Sequence, residues 1–292
     1  MKLETIALPI IRLALAEDLG AGDVTTTSLI SPNARARARI EARAPGVLAG
    51  IDIARLVFHE LDRDIGFRSL AKDGARLKPG QAVAAIDGRA RAVLSGERVA
   101  LNLLQHLSGI ATATARFVET LRGTSTVVRD TRKTLPGLRF LEKYAVLVGG
   151  GQNHRFGLFD MVLIKDNHLP AAGSITGAVR AARRAHPDLR IQVEVRNAEE
   201  AAEALRAGAD QLLLDNLDPE SVRATIDEMG IAPGSAPGSP GRPWIEVSGG
   251  VTLANARSFA LPGVDSVAVG AITHSAPALD LALTVESIED YA

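Results

Sequence analysis

Residues 190–216, RIQVEVRNAEEAAEALRAGADQLLLDN, read as a strand, a helix and a second strand. RIQVEV and QLLLDN are short apolar runs, and between them AEEAAEALRAG repeats its apolar positions at the helical period. Two strands joined through a helix run parallel, with a right-handed crossover. The alternation extends both ways: STVVRD, MVLIKD, WIEVSGG and DSVAVGA read as four more strands, and LRFLEKYAVL, ITGAVRAARRA, PESVRATIDEM and TLANARSF as helices between them. Six such strands predict a parallel sheet covered by helices. An open sheet and a barrel both satisfy that pattern, and the strand ends favour the barrel. Asp130 to Lys133, Lys165, Glu194, Asp215, Ser248 to Gly250 and Gly270 all close apolar runs. Six ends delivering polar groups suit a ring with one mouth better than a crevice at one switch point, so an incomplete TIM-like α/β barrel is expected.

Ahead of the barrel the pattern differs. Leu3, Ile6, Ile10 and Leu13 fall at helical spacing, EDLGAGDVTTTSL is turn-rich, and ARARARIEAR at 34–43 alternates charged and apolar residues as a half-buried strand does. Residues 74–88 read as a compact sheet region, followed by a long buried helix from SGERVALNLLQHLSG onward. These boundaries predict a first domain over 1–108, a barrel over 109–274, and residues 275–292 packing back on the first domain. GIAPGSAPGSPGRP at 230–243 reads as a Pro/Gly/Ser surface loop.

The chain has 292 residues, 46% apolar and 23% charged, which is ordinary globular composition. A net charge of -1 argues against nucleic-acid or acidic-membrane partners, which select broadly basic surfaces. The arginine stripe of 35–43 lacks aromatics to stack on bases and reads as a solvated strand face. The absence of cysteine excludes disulfides, a thiol nucleophile and thiolate metal sites, and is compatible with a cytoplasmic location. Nowhere do 18 apolar residues run together, so no membrane span is expected.

Within this neutral chain, 130–168 concentrates Arg132, Lys133, His154, Arg155, Lys165 and His168 beside apolar strands, as an anion-binding pocket requires. His168 reads as a loop-fixing residue. Glu194 and Asp215 are isolated acids in QVEV and LLLDN, suited to sugar hydroxyls or hydrated magnesium; the bland alternative is a salt bridge to a lysine on a neighbouring strand. SGG at 248–250 and VGAITHS at 269–275 put small residues at strand ends before helices, where backbone N–H groups hold phosphate. GGG at 149–151 follows a helix and reads equally well as its stop. His106 reads as a packed core histidine, His59 and His186 as surface residues, and no paired-histidine spacing suggests a transition-metal site.

EDLGAGDVTT, GERVALNLLQHLSGIAT, DTRKTLPGLR, KYAVLVGGGQNHRFGLFDMVLIKDNH, VEV, LLDN, VSGGV and VGAITHS occur in an order that resembles the quinolinate phosphoribosyltransferase family over nearly the whole chain. The resemblance implies an N-terminal α/β sandwich domain plus an incomplete TIM-like barrel. It also implies transfer of 5-phosphoribosyl from phosphoribosyl pyrophosphate to quinolinate with decarboxylation, a step of NAD biosynthesis that gives nicotinate mononucleotide. On matching positions, Arg132, His154, Arg155 and Lys165 would hold the quinolinate carboxylates, with Arg98 reaching in from a partner subunit of a homodimer or higher homo-oligomer. Lys133 would lie between the substrates and, with Glu194 and Asp215, form the catalytic set. Glu194 and Asp215 would contact the ribose and its magnesium, partly through water. Lys165 would also face phosphoribosyl pyrophosphate, and Ser248, Gly249, Gly250, Gly270 and His274 would surround phosphate groups. Two other readings compete: a molybdate-transport-associated relative acting as a binding or accessory protein, and a sugar-phosphate isomerase barrel, which leaves the cation cluster unused.

Overall fold

The computed structural model describes residues 3–231 and 242–290, so most of the 230–243 loop lies outside the described residues. The chain divides into two units, one formed by residues 1–115, 134–150 and 272–292, the other by 116–133 and 151–271.

The first unit opens with α1 (Leu3–Leu19) and α2 (Val24–Leu29), the latter capped by the Asp23 carboxylate accepting the Thr26 N–H at 2.9 Å. A short helix thus occupies part of the turn-rich segment. Next come β1 (Arg35–Ala42), β2 (Gly46–Val47), α3 (Ile51–Leu61), β3 (Gly66–Ser69), β4 (Arg76–Leu77) and β5 (Ala82–Arg89). α4 (Ala90–Thr120) leads out of the unit. Along β1, Arg35, Arg37 and Arg39 are exposed while Ala36, Ala38 and Ile40 are buried, the predicted two-residue period. The arginines face acids, Asp87 at 2.6 Å from Arg35 and Glu286 at 2.7 Å from Arg39, as a solvated strand face does. β1 lies between β5 and the C-terminal strand β12 (Leu281–Glu289) in an antiparallel sheet ordered β12-β1-β5-β3; β2 pairs β4 separately.

The second unit carries the parallel sheet. Its strands are β6 (Val127–Arg129), β7 (Val162–Ile164), β8 (Ile191–Val195), β9 (Gln211–Asp215), β10 (Trp244–Ser248) and β11 (Ser266–Ala268), ordered β6-β11-β10-β9-β8-β7. Between β6 and β7, α5 (Arg139–Val148) groups with the first unit. Then come α6 (Leu169–Ala172), α7 (Ile175–Ala185), α8 (Ala198–Ala207) and α9 (Pro219–Glu228), while α10 (Ala271–His274), which follows β11, groups from Ile272 onward with the first unit. The helices over β7 to β10 have local start signals. Ser174 accepts the Gly177 N–H, Asn197 that of Glu200 and Asp218 that of Ser221, each at 2.8–2.9 Å. TLANARSF forms only a 3-10 turn at Ala256–Phe259, not the expected helix. There the Asn255 side chain accepts the Thr252 N–H at 2.7 Å and donates to the Gly250 carbonyl at 3.0 Å, and this local side-chain turn displaces the helical start.

The period of two places the site. Val128, Val193, Val195, Leu212, Leu214, Ile245, Val247 and Val267 are at most 1% exposed. Full burial of each stabilises the unit by about 1.5–3 kcal/mol. The intervening residues, Arg129, Leu163, Gln192, Glu194, Leu213, Asp215, Glu246, Ser248, Ser266 and Ala268, project from the opposite face of the sheet. A slip of one residue would drive Glu194 and Asp215 into the apolar layer, so the register is strongly specified. β6 bonds β11 on one side and Gln152 on the other: the Asp130 N–H donates to the Gln152 carbonyl at 3.1 Å and the Gln152 N–H to the Val128 carbonyl at 2.8 Å. Among the described residues no ladder joins Gln152 to β7, and residues 153–161 span that opening.

Candidate active site

A cavity of about 410 Å³ opens at the C-terminal ends of these strands. Thr131, Arg132, Lys133, His154, Arg155 and Lys165 border it on one side, and Asp215, Asn216, Ser248 and Gly249 on the other, with Leu163, Leu213, Glu246 and Ala268 also lining it. Of the residues predicted from the sequence, those from 132 to 165 and Asp215, Ser248 and Gly249 meet here; Gly250 and Gly270 do not border the cavity. Arg98 and His274 belong to the other unit, where Arg98 is 59% exposed and lies 4.0 Å from Glu97.

Glu194 reaches the site through Lys165, whose Nζ lies 2.9 Å from its carboxylate. β7 pairs β8 with Ile164 opposite Val193, which brings the next residues, Lys165 and Glu194, level. The neighbouring-strand salt bridge is therefore what this structure forms. Asp215 instead accepts the Asn216 side-chain amide at 2.7 Å. Asn216 has φ 56, the sole positive value among the described non-glycine residues, and its backbone N–H donates to the Ser248 carbonyl at 2.9 Å. Gly249, at φ +89, packs so closely that a Cβ there would lie 2.2 Å from Asn216 Oδ1, so only glycine lets these two strand ends meet. The LLLDN end and the SGG end are thus built as one piece.

The other wall stands on the segment across the ring opening, where side chains replace a ladder. The Asp130 carboxylate accepts the His154 N–H at 2.8 Å, and Asp160 accepts those of Phe156 at 2.6 Å and Gly157 at 2.9 Å. His154 Nδ1 accepts the Arg155 N–H at 2.7 Å, and the Arg155 guanidinium donates to the Met161 carbonyl at 3.2 Å. Burial, then the charge of Arg132, pulls the Arg155 guanidinium below the ordinary arginine range, with Asp160 opposing. Two cations crowded at a cavity wall are what a multiply charged anion relieves. His168 accepts the Lys165 backbone N–H at 2.8 Å, which holds the strand end.

A polar cluster gathers around Glu246, a cavity-lining residue that the motifs do not single out. Glu246, fully buried, accepts from Arg129 at 3.0 Å, His154 Nε2 at 2.9 Å, Ser266 Oγ at 2.9 Å and Gln192 at 3.4 Å. Burial pushes its carboxyl up; the bond from His154, the charge of Arg129 and the Ser266 bond outweigh this and hold it below the usual range. WIEV carries the same signal as QVEV, an isolated acid in an apolar strand, and the same rule would have found it. In the first unit His106 donates to the buried Glu142 at 2.9 Å, and the triglycine ends α5, where a Cβ on Gly149 would meet the Ala111 carbonyl at 2.5 Å.

A parallel barrel whose mouth opposes a cationic wall to acids and a glycine turn defines an enzyme class that handles phosphate-bearing, carboxylated small molecules. Family models agree in detail. The quinolinate phosphoribosyl transferase N-terminal domain matches residues 23–108 and the C-terminal domain residues 110–284. A carboxylating nicotinate-nucleotide pyrophosphorylase of Mycobacterium leprae is 45% identical over 276 residues, spanning 94% of this chain and 95% of that protein. The Homo sapiens enzyme of that name is 41% identical, over 88% of this chain and 84% of its own. The crystal structure of NadC from Streptococcus pyogenes superposes with a TM-score of 0.90 at 39% identity, covering 98% of this chain and 99% of that one. The chain belongs to the quinolinate phosphoribosyltransferase family, with an N-terminal domain and a TIM-like barrel.

Proposed function

We propose that this protein transfers the 5-phosphoribosyl group of phosphoribosyl pyrophosphate to quinolinate, releasing pyrophosphate and carbon dioxide and leaving nicotinate mononucleotide. The observation that carries this reading is one cavity with Arg132, Lys133, Arg155 and Lys165 on one wall and Asp215, Ser248 and Gly249 on the other. A ring with two adjacent carboxylates suits the first wall, where each charge-assisted hydrogen bond contributes about 1.5–3 kcal/mol. A phosphorylated sugar suits the second, with acids for hydroxyls and backbone N–H groups for phosphate.

The chemistry asks little covalent help from the protein. The pyridine nitrogen attacks the anomeric carbon as the bond to pyrophosphate breaks, and Glu194 and Asp215 offset the positive character of the ribose while Lys133 and Lys165 neutralise the departing oxygens. The ring nitrogen is then cationic, so the neighbouring carboxylate leaves as carbon dioxide, its electron pair remaining on the ring carbon to take up a proton. Among the described residues no cluster of three or more His, Cys, Asp or Glu could hold a metal. Two carboxylates at a phosphate-binding mouth nevertheless fit magnesium, which binds through one or two acids, waters and substrate phosphates. Glu194 and Asp215 would hold it, partly through water, where it would neutralise the leaving pyrophosphate. The same reading makes the protein a cytoplasmic homodimer or higher homo-oligomer with Arg98 completing the partner's site.

Pure protein given quinolinate, phosphoribosyl pyrophosphate and magnesium should form nicotinate mononucleotide and pyrophosphate in equal amounts. Absence of that product would sink the reading.

A further inference from the structure

We infer that Glu246 and Arg129 are positioning residues for the carboxylate-binding wall: they hold His154 in its Nε2–H form, and His154 in turn fixes the backbone from which Arg155 extends. Neither residue belongs to the set predicted to hold the substrates, and neither is assigned a contact with the reacting atoms.

The proton positions follow from the contacts. Nδ1 of His154 receives the Arg155 backbone N–H at 2.7 Å, and a backbone N–H can only donate, so Nδ1 carries no proton. The ring proton of the neutral form then lies on Nε2, 2.9 Å from the Glu246 carboxylate and 2.9 Å from the side-chain oxygen of Gln192, whose amide nitrogen in turn lies 3.4 Å from Glu246. An imidazolium would set two N–H groups against each other at Nδ1. Arg129, 3.0 Å from the other carboxylate oxygen, balances the charge of Glu246 so that His154 need not. Arg129 is itself fixed, lying 5.6 Å from the Trp244 ring centroid and donating to the Asn153 carbonyl at 3.2 Å. Residues 153 and 154 are in the stretch that no ladder holds, so the His154 ring is one of the few anchors available to Arg155. A fully buried acid inside a strand is costly, and this placement gives it work that an apolar residue could not do.

The inference relies on the proposed reaction only for the ligand being a dicarboxylate. Glu246→Gln keeps the shape and removes the charge that Arg129 faces. Three readouts apply: the His154 ring nitrogens by long-range ¹H–¹⁵N NMR, assigned with His154→Gln; calorimetric binding of quinolinate and of phthalate, a dicarboxylate that cannot react; and calorimetric binding of phosphoribosyl pyrophosphate. The wild type should show a protonated Nε2 and a bare Nδ1. In the variant Gln192 still accepts from Nε2, so that pattern should mix rather than invert, and both dicarboxylates should weaken on the order of tenfold while phosphoribosyl pyrophosphate stays within about twofold. Ser266→Ala, which keeps the charge and removes one hydrogen bond, should leave dicarboxylate affinity within about twofold. An unaltered His154 signal with wild-type dicarboxylate binding, or equal loss for both substrates, would overturn the inference. Should Glu246→Gln not fold, Arg129→Lys, which keeps the charge but not the planar fork, is read in the same way. A wild type that makes no nicotinate mononucleotide, with His154 and phthalate responding as expected, would end the proposed reaction and leave the positioning role standing.

Discussion

Replacing an acid assigned to catalysis should make one substrate bind more tightly. Lys165 Nζ lies 2.9 Å from Glu194, with the lysine side chain 45% exposed and the glutamate 10% exposed. Quinolinate must take Lys165 from that pair before Lys165 can serve a carboxylate. Two unit charges about 3 Å apart attract by about 1.4 kcal/mol in water, and measured exposed pairs retain roughly 0.2–1 kcal/mol. Since only the lysine is well hydrated, about 0.5–1 kcal/mol is the applicable range, equivalent to roughly 2–5-fold in affinity. Glu194→Gln should therefore tighten quinolinate, measured alone by calorimetry, by that factor, while turnover falls. The gain should vanish in a Lys165→Ala background, because the cycle isolates the pair. Unchanged or weaker binding in Glu194→Gln, or equal tightening without Lys165, would refute the exchange.

Arg155→Ala should weaken quinolinate by at least about tenfold, the loss of one or two charge-assisted bonds, with phosphoribosyl pyrophosphate affected by less than about threefold; equal losses would remove its carboxylate role. Mixing Arg98→Ala chains with Lys165→Ala chains should restore part of the activity by forming one intact site, and verified mixed dimers without recovery would exclude a shared site. Asp265→Ala strips the buried Arg242 of its two-pronged partner at 2.7 and 3.0 Å and frees the Ile245 N–H. Unfolding in urea should show a loss on the order of 3–5 kcal/mol, and a loss under 1 kcal/mol would show that the pair is solvated.

The barrel was legible because its signal is local: alternating strand and helix patterns, caps at Ser174, Asn197 and Asp218, and polar groups closing apolar runs. What escaped depends on pairing between distant segments. Which lysine meets Glu194 is decided by the β7–β8 register. Arg129 in VVRD looks like an ordinary strand residue until the sheet places it 3.0 Å from Glu246, whose isolated position in WIEV is itself a sequence sign of the cluster. The alternation also gave no sign that α5 groups with the first unit, since a helix pattern carries its period and not its partner. Asn255 shows the opposite failure, where a helical apolar spacing yielded to a side chain that builds its own turn.

The opening between Gln152 and β7 gives the two walls unequal durability. Asp215 and Ser248 stand on strands bonded along both edges, whereas His154 and Arg155 hang from the carboxylates of Asp130, Glu246 and Asp160. Amide hydrogens of 153–157 should exchange with solvent through small local openings, ahead of those in β9 and β10, which await larger unfolding. Warming or mild urea should then pass the protein through a stage that still grips phosphate and no longer recognises the dicarboxylate.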